Sequence, residues 1–264
     1  MDEGLGGAKN TAGGDWSTVS GGEGNDAIGN YSTSAGGAGN RAWGNYSTVI
    51  GGYANSATND CSTVVGGSWN EAGGTNSLAA GYRAIALRSG TFVWADTSPY
   101  DFEPYSMSAG GYAKSFNVRA TGGIYFVTGV DGMGHQTSGP ICAAGGGSFT
   151  SYSDRNGKEN FAAADGREVL SRVVAMPIAT WNYKAQDTSI RHMGPMAQDF
   201  KAAFGLGETD KGITTVDADG VALAAIQGLN QKLEEELYAK DAQIRSLEER
   251  LAALEARLNN KEAN

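Results

Sequence analysis

Few residues of types that carry chemistry stand in a pattern that could use them. His135 and His192 are the only two histidines, too few and too scattered for a metal cluster, and both read as structural. Cys61 and Cys142 lie in different segments, so a disulfide framework is not expected and both read as buried or incidental thiols. Gly37-Ala38-Gly39-Asn40-Arg41-Ala42 fits a dinucleotide-loop pattern loosely, but it is one copy of a repeat and no strand–helix–strand unit surrounds it. A glycosidase acting on an external glycan needs two carboxylates about 5–9.5 Å apart, and no acidic pair stands out in the sparsely charged first half. The hexapeptide Ser153-Asp154-Arg155-Asn156-Gly157-Lys158, read alone, is a solvated turn. No metal and no cofactor are expected.

The elements that must position these residues change character near residue 150. Most of the 40 glycines precede it, whereas the charged residues concentrate after it. A weakly charged, turn-dense part is therefore followed by ordinary charged globular and helical protein. The net charge of −9 and pI near 4.8 argue against nucleic acid as a partner, because phosphate binding needs clustered Lys and Arg. No run of 18 apolar residues exists and the N-terminus lacks the regions of a signal peptide, so no membrane span is expected. The repeat is already under way at Gly6, which leads us to expect a longer parent protein.

That repeat has a period of 15, with Gly-Gly pairs at 6/7, 21/22, 36/37, 51/52 and 66/67. An asparagine follows each pair (Asn10, Asn25, Asn40, Asn55, Asn70), then an alanine (Ala12, Ala27, Ala42, Ala57, Ala72). Short β-type stretches such as Ser47-Thr48-Val49 lie between. A unit this small cannot close a core alone, so the units must stack into a parallel β-solenoid. Glycine suits a corner at positive φ, and asparagine can bond its own turn, tolerate left-handed geometry and form a ladder. Trp16, Tyr31, Trp43, Tyr46, Tyr53 and Trp69 form either a sugar- or protein-binding stripe or packing between chains.

These repeats resemble the heads of YadA-like trimeric adhesins, over about Gly6 to Ala86. The resemblance implies a left-handed parallel β-roll with three rolls packed together. The last turn, Gly81-Tyr82-Arg83-Ala84-Ile85-Ala86, is one residue short and has lost the Asn, as a capping repeat does.

Residues 88–150 alternate apolar and polar residues around turns, as in Thr91-Phe92-Val93-Trp94 and Phe116-Asn117-Val118-Arg119, which predicts a β-rich neck. Asp165 is placed to cap a helix that ends before Pro177. A strand is expected over Ile178–Tyr183, an extended stretch over Arg191–Gly194, a helix from Pro195 through Phe204 closed by Gly205, and a hairpin or loop over Thr209–Asp217. From Ala218 a long helix carries a heptad seam, with a positions Leu223, Asn230, Leu237, Ile244, Leu251 and Leu258 and d positions Ile226, Leu233, Lys240, Leu247 and Leu254. That is coiled-coil patterning, with Asn230 and Lys240 able to set register.

The segment Ser153–Asn160, the helix after it, Trp181-Asn182-Tyr183-Lys184, the stretch from Arg191 to Phe200 and the terminal seam together resemble the C-terminal intramolecular chaperone of phage tail spikes and fibres, the endosialidase-type self-cleaving family. The resemblance spans about residues 151–258. It implies three chains, a serine nucleophile at Ser153, a lysine base at Lys158 and cleavage at the Ser153–Asp154 bond. A serine hydroxyl needs a base, and lysine serves only if burial on assembly lowers its pKa from ~10.4 toward neutrality.

The expected architecture is thus a mainly β N-terminal part followed by an α+β chaperone ending in a long trimeric coiled-coil helix. Its parts are solenoid head repeats over 1–87, a β-rich neck over 88–150, the chaperone domain over 151–222 and the coiled coil over 223–264. The functional expectation is the distal part of a homotrimeric tail fibre or bacterial surface adhesin, attaching to a host-surface glycan or protein. Its chaperone is either cut free or retained as a permanent cap.

Overall fold

The computed structural model describes residues 9–104 and 113–262, with side chains to residue 257. The first Gly-Gly pair, Gly6-Gly7, and the seam side chain of Leu258 lie outside the described residues. The chain divides into two compact units, Met1–Tyr152 and Ser153–Asn264.

The first unit holds a β-solenoid of two parallel sheets, followed by two antiparallel strand pairs, Ile124–Tyr125 with Ile141–Cys142 and Gly129–Val130 with Gln136–Ser138. One sheet has six strands, Thr11–Ala12, Asp26–Ala27, Arg41–Ala42, Ser56–Ala57, Glu71–Ala72 and Ile85–Ala86, stacked in chain order. The other has seven, Thr18–Val19, Thr33–Ser34, Thr48–Val49, Thr63–Ser68, Leu78–Tyr82, Phe92–Ala95 and Phe116–Arg119. Thr11 pairs with Asp26 and Thr33 with Thr48, so each residue stacks on its repeat equivalent. The interior is narrow because its inward positions are small: Ala27, Ala42, Ala57, Ala72 and Ala86 from one sheet face Val49, Val64, Ala79 and Val93 from the other, all fully buried.

The asparagines form the expected ladder. Asn25, Asn40, Asn55 and Asn70 are buried, and the Oδ1 of each accepts the backbone N–H one turn on, from Asn25 N–H to Asn10 at 3.0 Å through Ala84 N–H to Asn70 at 2.9 Å. Asn40 Nδ2 donates to Gly36 O in its own turn at 2.8 Å and to Gly52 O in the next at 2.9 Å. Left-handed geometry falls elsewhere. It occupies the second glycine of each pair (Gly22, Gly37, Gly52, Gly67), the residue just before the asparagine (Gly24, Gly39, Ala54, Trp69) and a third corner at Trp16, Tyr31, Tyr46, Cys61 and Asn76. The asparagine itself needs an ordinary backbone to aim its amide inward.

The shortened last repeat appears as a register shift between Ala79 and Gly81. Beyond it the second sheet runs on, with Phe92 pairing to Leu78 and Phe116 to Phe92, so two strands of the 88–150 region continue the stack. A half-buried clamp joins the second of these strands to residues 96–100. Arg119 Nε donates to Asp96 Oδ1 at 3.0 Å, and its Nη groups donate to the carbonyls of Ser98 and Tyr100.

The second unit has three helices, α1 (Gly166–Ala175), α2 (Ala197–Phe204) and α3 (Thr215–Glu262), and a two-stranded antiparallel pair, Ala179–Trp181 with His192–Gly194. The Asp165 carboxylate caps α1 by accepting from Arg167 and Glu168 N–H, and Gly205 ends α2 at φ 69. The stretch after Thr209 is a loop, and α3 starts earlier than Ala218 because Thr214 Oγ1 accepts Asp217 N–H while the Asp217 carboxylate accepts the Thr214 hydroxyl. α1 meets α3 at a glycine pair. A Cβ at Gly228 would run into the Gly166 carbonyl, so the close approach depends on both glycines.

Candidate functional site

Ser153 and Lys158 flank one short turn. Asp154 caps a 3-10 turn over Arg155–Gly157, its carboxylate accepting Asn156 N–H at 3.0 Å. The backbone closes behind it, with Gly157 N–H on Asp154 O and Lys158 N–H on Arg155 O, both at 3.2 Å. Lys158 leaves the turn extended, at φ −128 and ψ 154. The reversal brings the side chains on its two sides together, and Lys158 Nζ donates to Ser153 Oγ at 2.6 Å.

This is the contact that proton transfer requires. As an ammonium, lysine can only donate to the hydroxyl; as a neutral amine it accepts the hydroxyl proton through the same contact and leaves a nucleophilic oxygen. Both side chains are exposed in the single chain. Asp154 holds the turn through its cap rather than through the serine or the lysine contact just described.

The histidines are engaged locally. His192 stacks on Trp181 with ring centroids 4.8 Å apart, and its Nε2 lies 2.8 Å from Gln186 Oε1. His135 Nδ1 lies 3.0 Å from Asp131, whose carboxyl is held below the usual range by the backbone N–H groups of His135 and Met133. Cys61 is exposed, Cys142 is half-buried, and both are free thiols. No helix among the described residues is long and apolar enough to cross a membrane.

The turn, the capped α1, the Trp181–His192 pair and α2 follow one another from Ser153 onward. Residues 153–206 match the family model described as chaperone of endosialidase. The chaperone match begins at Ser153, includes Lys158 and ends just after α2. The solenoid and α3 lie outside it, and no curated protein matches the chain.

A second ladder in the solenoid escaped the sequence reading. Asp15 N–H donates to Asn30 Oδ1, Asn30 N–H to Asn45 Oδ1 and Asn45 N–H to Asp60 Oδ1, at 3.0–3.1 Å. Its signal was present as Asp or Asn every 15 residues at the corner opposite the glycine pairs. The stacked aromatics also separate into two groups. Trp16, Tyr31 and Tyr46 lie face to face, with centroids 4.9 and 5.0 Å apart, whereas Tyr53 and Trp69 meet edge to face.

Proposed function

We propose that this chain is the distal part of a homotrimeric tail fibre or surface adhesin, whose C-terminal unit is an intramolecular chaperone released by self-cleavage at Ser153. The observation that carries this reading is the 2.6 Å contact of Lys158 Nζ with Ser153 Oγ at the first residues of the chaperone match.

Trimerisation is supported by what the single chain leaves uncovered. In the second unit only Gly166, Phe200, Val221, Ala225 and Gly228 are buried among the described residues, too little apolar burial to hold a domain of this size together. Meanwhile Leu223, Ile226, Leu233, Leu237, Ile244, Leu247, Leu251 and Leu254 along α3 are between 51% and 63% exposed. Three such helices in register would cover that seam. In the solenoid, the outward positions Ala35, Ile50, Val65, Ala80 and Trp94 of the second sheet carry no charge, which suits a second contact between chains.

Assembly would also prepare the chemistry. Neighbouring chains would strip water from the exposed lysine and so favour its neutral form. The amine takes the Ser153 proton, and Ser153 Oγ attacks a carbonyl carbon. Attack on the Tyr152 carbonyl closes a five-membered ring, breaks the Tyr152–Ser153 amide, forms an ester and frees the Ser153 amine, which receives the proton. Water then hydrolyses the ester. Cleavage of the Ser153–Asp154 bond instead needs Ser153 of a neighbouring chain, since attack on its own carbonyl would close a strained four-membered ring. A cut at Tyr152–Ser153 falls at the boundary of the two units, and a cut at Ser153–Asp154 falls one residue past it.

The test is a denaturing gel with intact-mass analysis and N-terminal sequencing of the purified protein. A new N-terminus at Ser153 or Asp154 identifies the bond. A chain that stays intact through prolonged incubation as a trimer overturns release and makes the C-terminal unit a permanent cap.

A further inference from the structure

The solenoid corner just before Asn25, Asn40, Asn55 and Asn70 is left-handed, and the first three of these turns fill it with small residues, Gly24, Gly39 and Ala54 at φ 62, 67 and 53. At the last of them the same corner holds Trp69 at φ 61. Left-handed aromatics recur in this solenoid, at Trp16, Tyr31 and Tyr46 on another corner, but those three stack on one another face to face, whereas Trp69 stands at a corner that earlier turns fill with glycine or alanine. The indole does not fill the core, because Trp69 is 50% exposed, as is its neighbour Tyr53 at 52%.

The two rings form the walls of a groove. They meet nearly at right angles, 77° with centroids 5.5 Å apart, so at most one face between them is taken up by the contact, unlike in the face-to-face Trp16–Tyr31–Tyr46 stack. Arg83, tied to Asp101 at 2.8 Å, lies 6.0 Å from the Trp69 ring and steadies it. The groove encloses about 390 Å³, and its floor is the outer face of the first sheet, where Arg41, Ser56 and Glu71 lie side by side on successive strands. Neither Arg41, whose guanidinium lies 5.4 Å from the Trp43 ring, nor Glu71 has an ion-pair partner among the described residues, so a donor and an acceptor line the groove on either side of Ser56.

We propose that this groove binds a pyranose unit of a surface glycan. The C–H face of a pyranose ring is apolar and stacks on an aromatic plane, while its rim of hydroxyls both donates and accepts. Trp69 and Tyr53 supply the apolar corner, Arg41 donates, and Glu71 accepts. An anionic polymer is disfavoured by Glu71 and by the chain's net charge of −9. The inference deepens the fibre reading and rests on the first unit facing a surface receptor.

The experiment uses the full chain on an array of immobilised neutral pyranose oligosaccharides, with melting temperature measured in parallel. The wild type is expected to retain at least one saccharide. Trp69→Gly should weaken that retention by at least about tenfold while holding or raising the melting temperature, because glycine relaxes the corner. Tyr53→Ala, the residue found one turn earlier as Ala38, should act in the same direction, and Glu71→Gln should weaken retention severalfold. A wild type that retains no saccharide overturns the proposal. Retention unchanged in Trp69→Gly does so as well, as does a loss in both aromatic variants that merely follows a fall in melting temperature. Ser153→Ala run alongside separates the two readings, since failure of cleavage appears on the gel and failure of the groove on the array.

Discussion

Lys158 Nζ and Ser153 Oγ stand 2.6 Å apart across a single 3-10 turn, so the base and the nucleophile of the proposed cleavage come from one strand of sequence and need no second chain to meet. What the single chain lacks is a dry environment for the amine. Pairing is thus local, and in the proposed mechanism activation falls to assembly.

Ser153→Ala removes the nucleophile and Lys158→Ala the base, and either alone should reduce the cleavage rate by roughly 10²–10⁴-fold or more. Lys158→Arg should fail equally, because a guanidinium stays protonated and cannot accept the serine proton. Gel time courses of purified trimer measure all three. Cleavage at the wild-type rate in any one removes that residue from the mechanism.

Replacing both Leu247 and Leu251 by Asp sets charges into the exposed seam of α3, at a cost of at least about 2 kcal/mol per chain once the seam is covered. Light scattering should then report loss of the trimer, with solenoid folding failing alongside. If the double variant still yields folded trimeric solenoid, the C-terminal unit does not direct assembly.

Asn40→Ala deletes a buried amide that accepts Asn55 N–H at 3.1 Å and donates to Gly36 and Gly52 carbonyls. Leaving those groups unpaired should destabilise the solenoid by at least about 2 kcal/mol. Gly52→Val should be as harmful, since at φ 92 a Cβ would run into the Gly67 carbonyl oxygen. Thermal unfolding followed by circular dichroism reads both, and an unchanged midpoint in Gly52→Val would contradict the stacked corner.

Asp96 is held well below the usual carboxylate range, chiefly by the Thr121 hydroxyl and backbone N–H. A depressed folded value means that its contribution is complete above the unfolded value of ~3.9 and is lost as pH falls below it. Asp96→Asn should therefore lower the melting temperature at pH 7, and the gap to wild type should shrink as pH is taken below about 4. A gap independent of pH would show that the carboxylate's charge is not what holds Thr121 and Arg119 in place.

The period of 15, the asparagine ladder, the inward Ala and Val positions and the capped helices were all legible in the chain. Each depends on residues stacked on their own repeat equivalents or lying within one helical turn, so the pattern and the contact are the same thing. Ser153 and Lys158 were legible as a pair only through family resemblance, because a six-residue turn carries no periodic signal. The glycine pairs announced one left-handed corner, but tertiary structure alone decided that non-glycine residues such as Tyr31, Ala54 and Trp69 also become left-handed, since that follows from how one coil sits on the next. It also decided that Phe116–Arg119 pairs with Phe92–Ala95 across a non-repeating excursion, closed by Arg119 on Asp96. The Tyr53–Trp69 groove over Arg41 and Glu71 arises in the same way. Its members are far apart in sequence and become neighbours only when three successive coils are stacked.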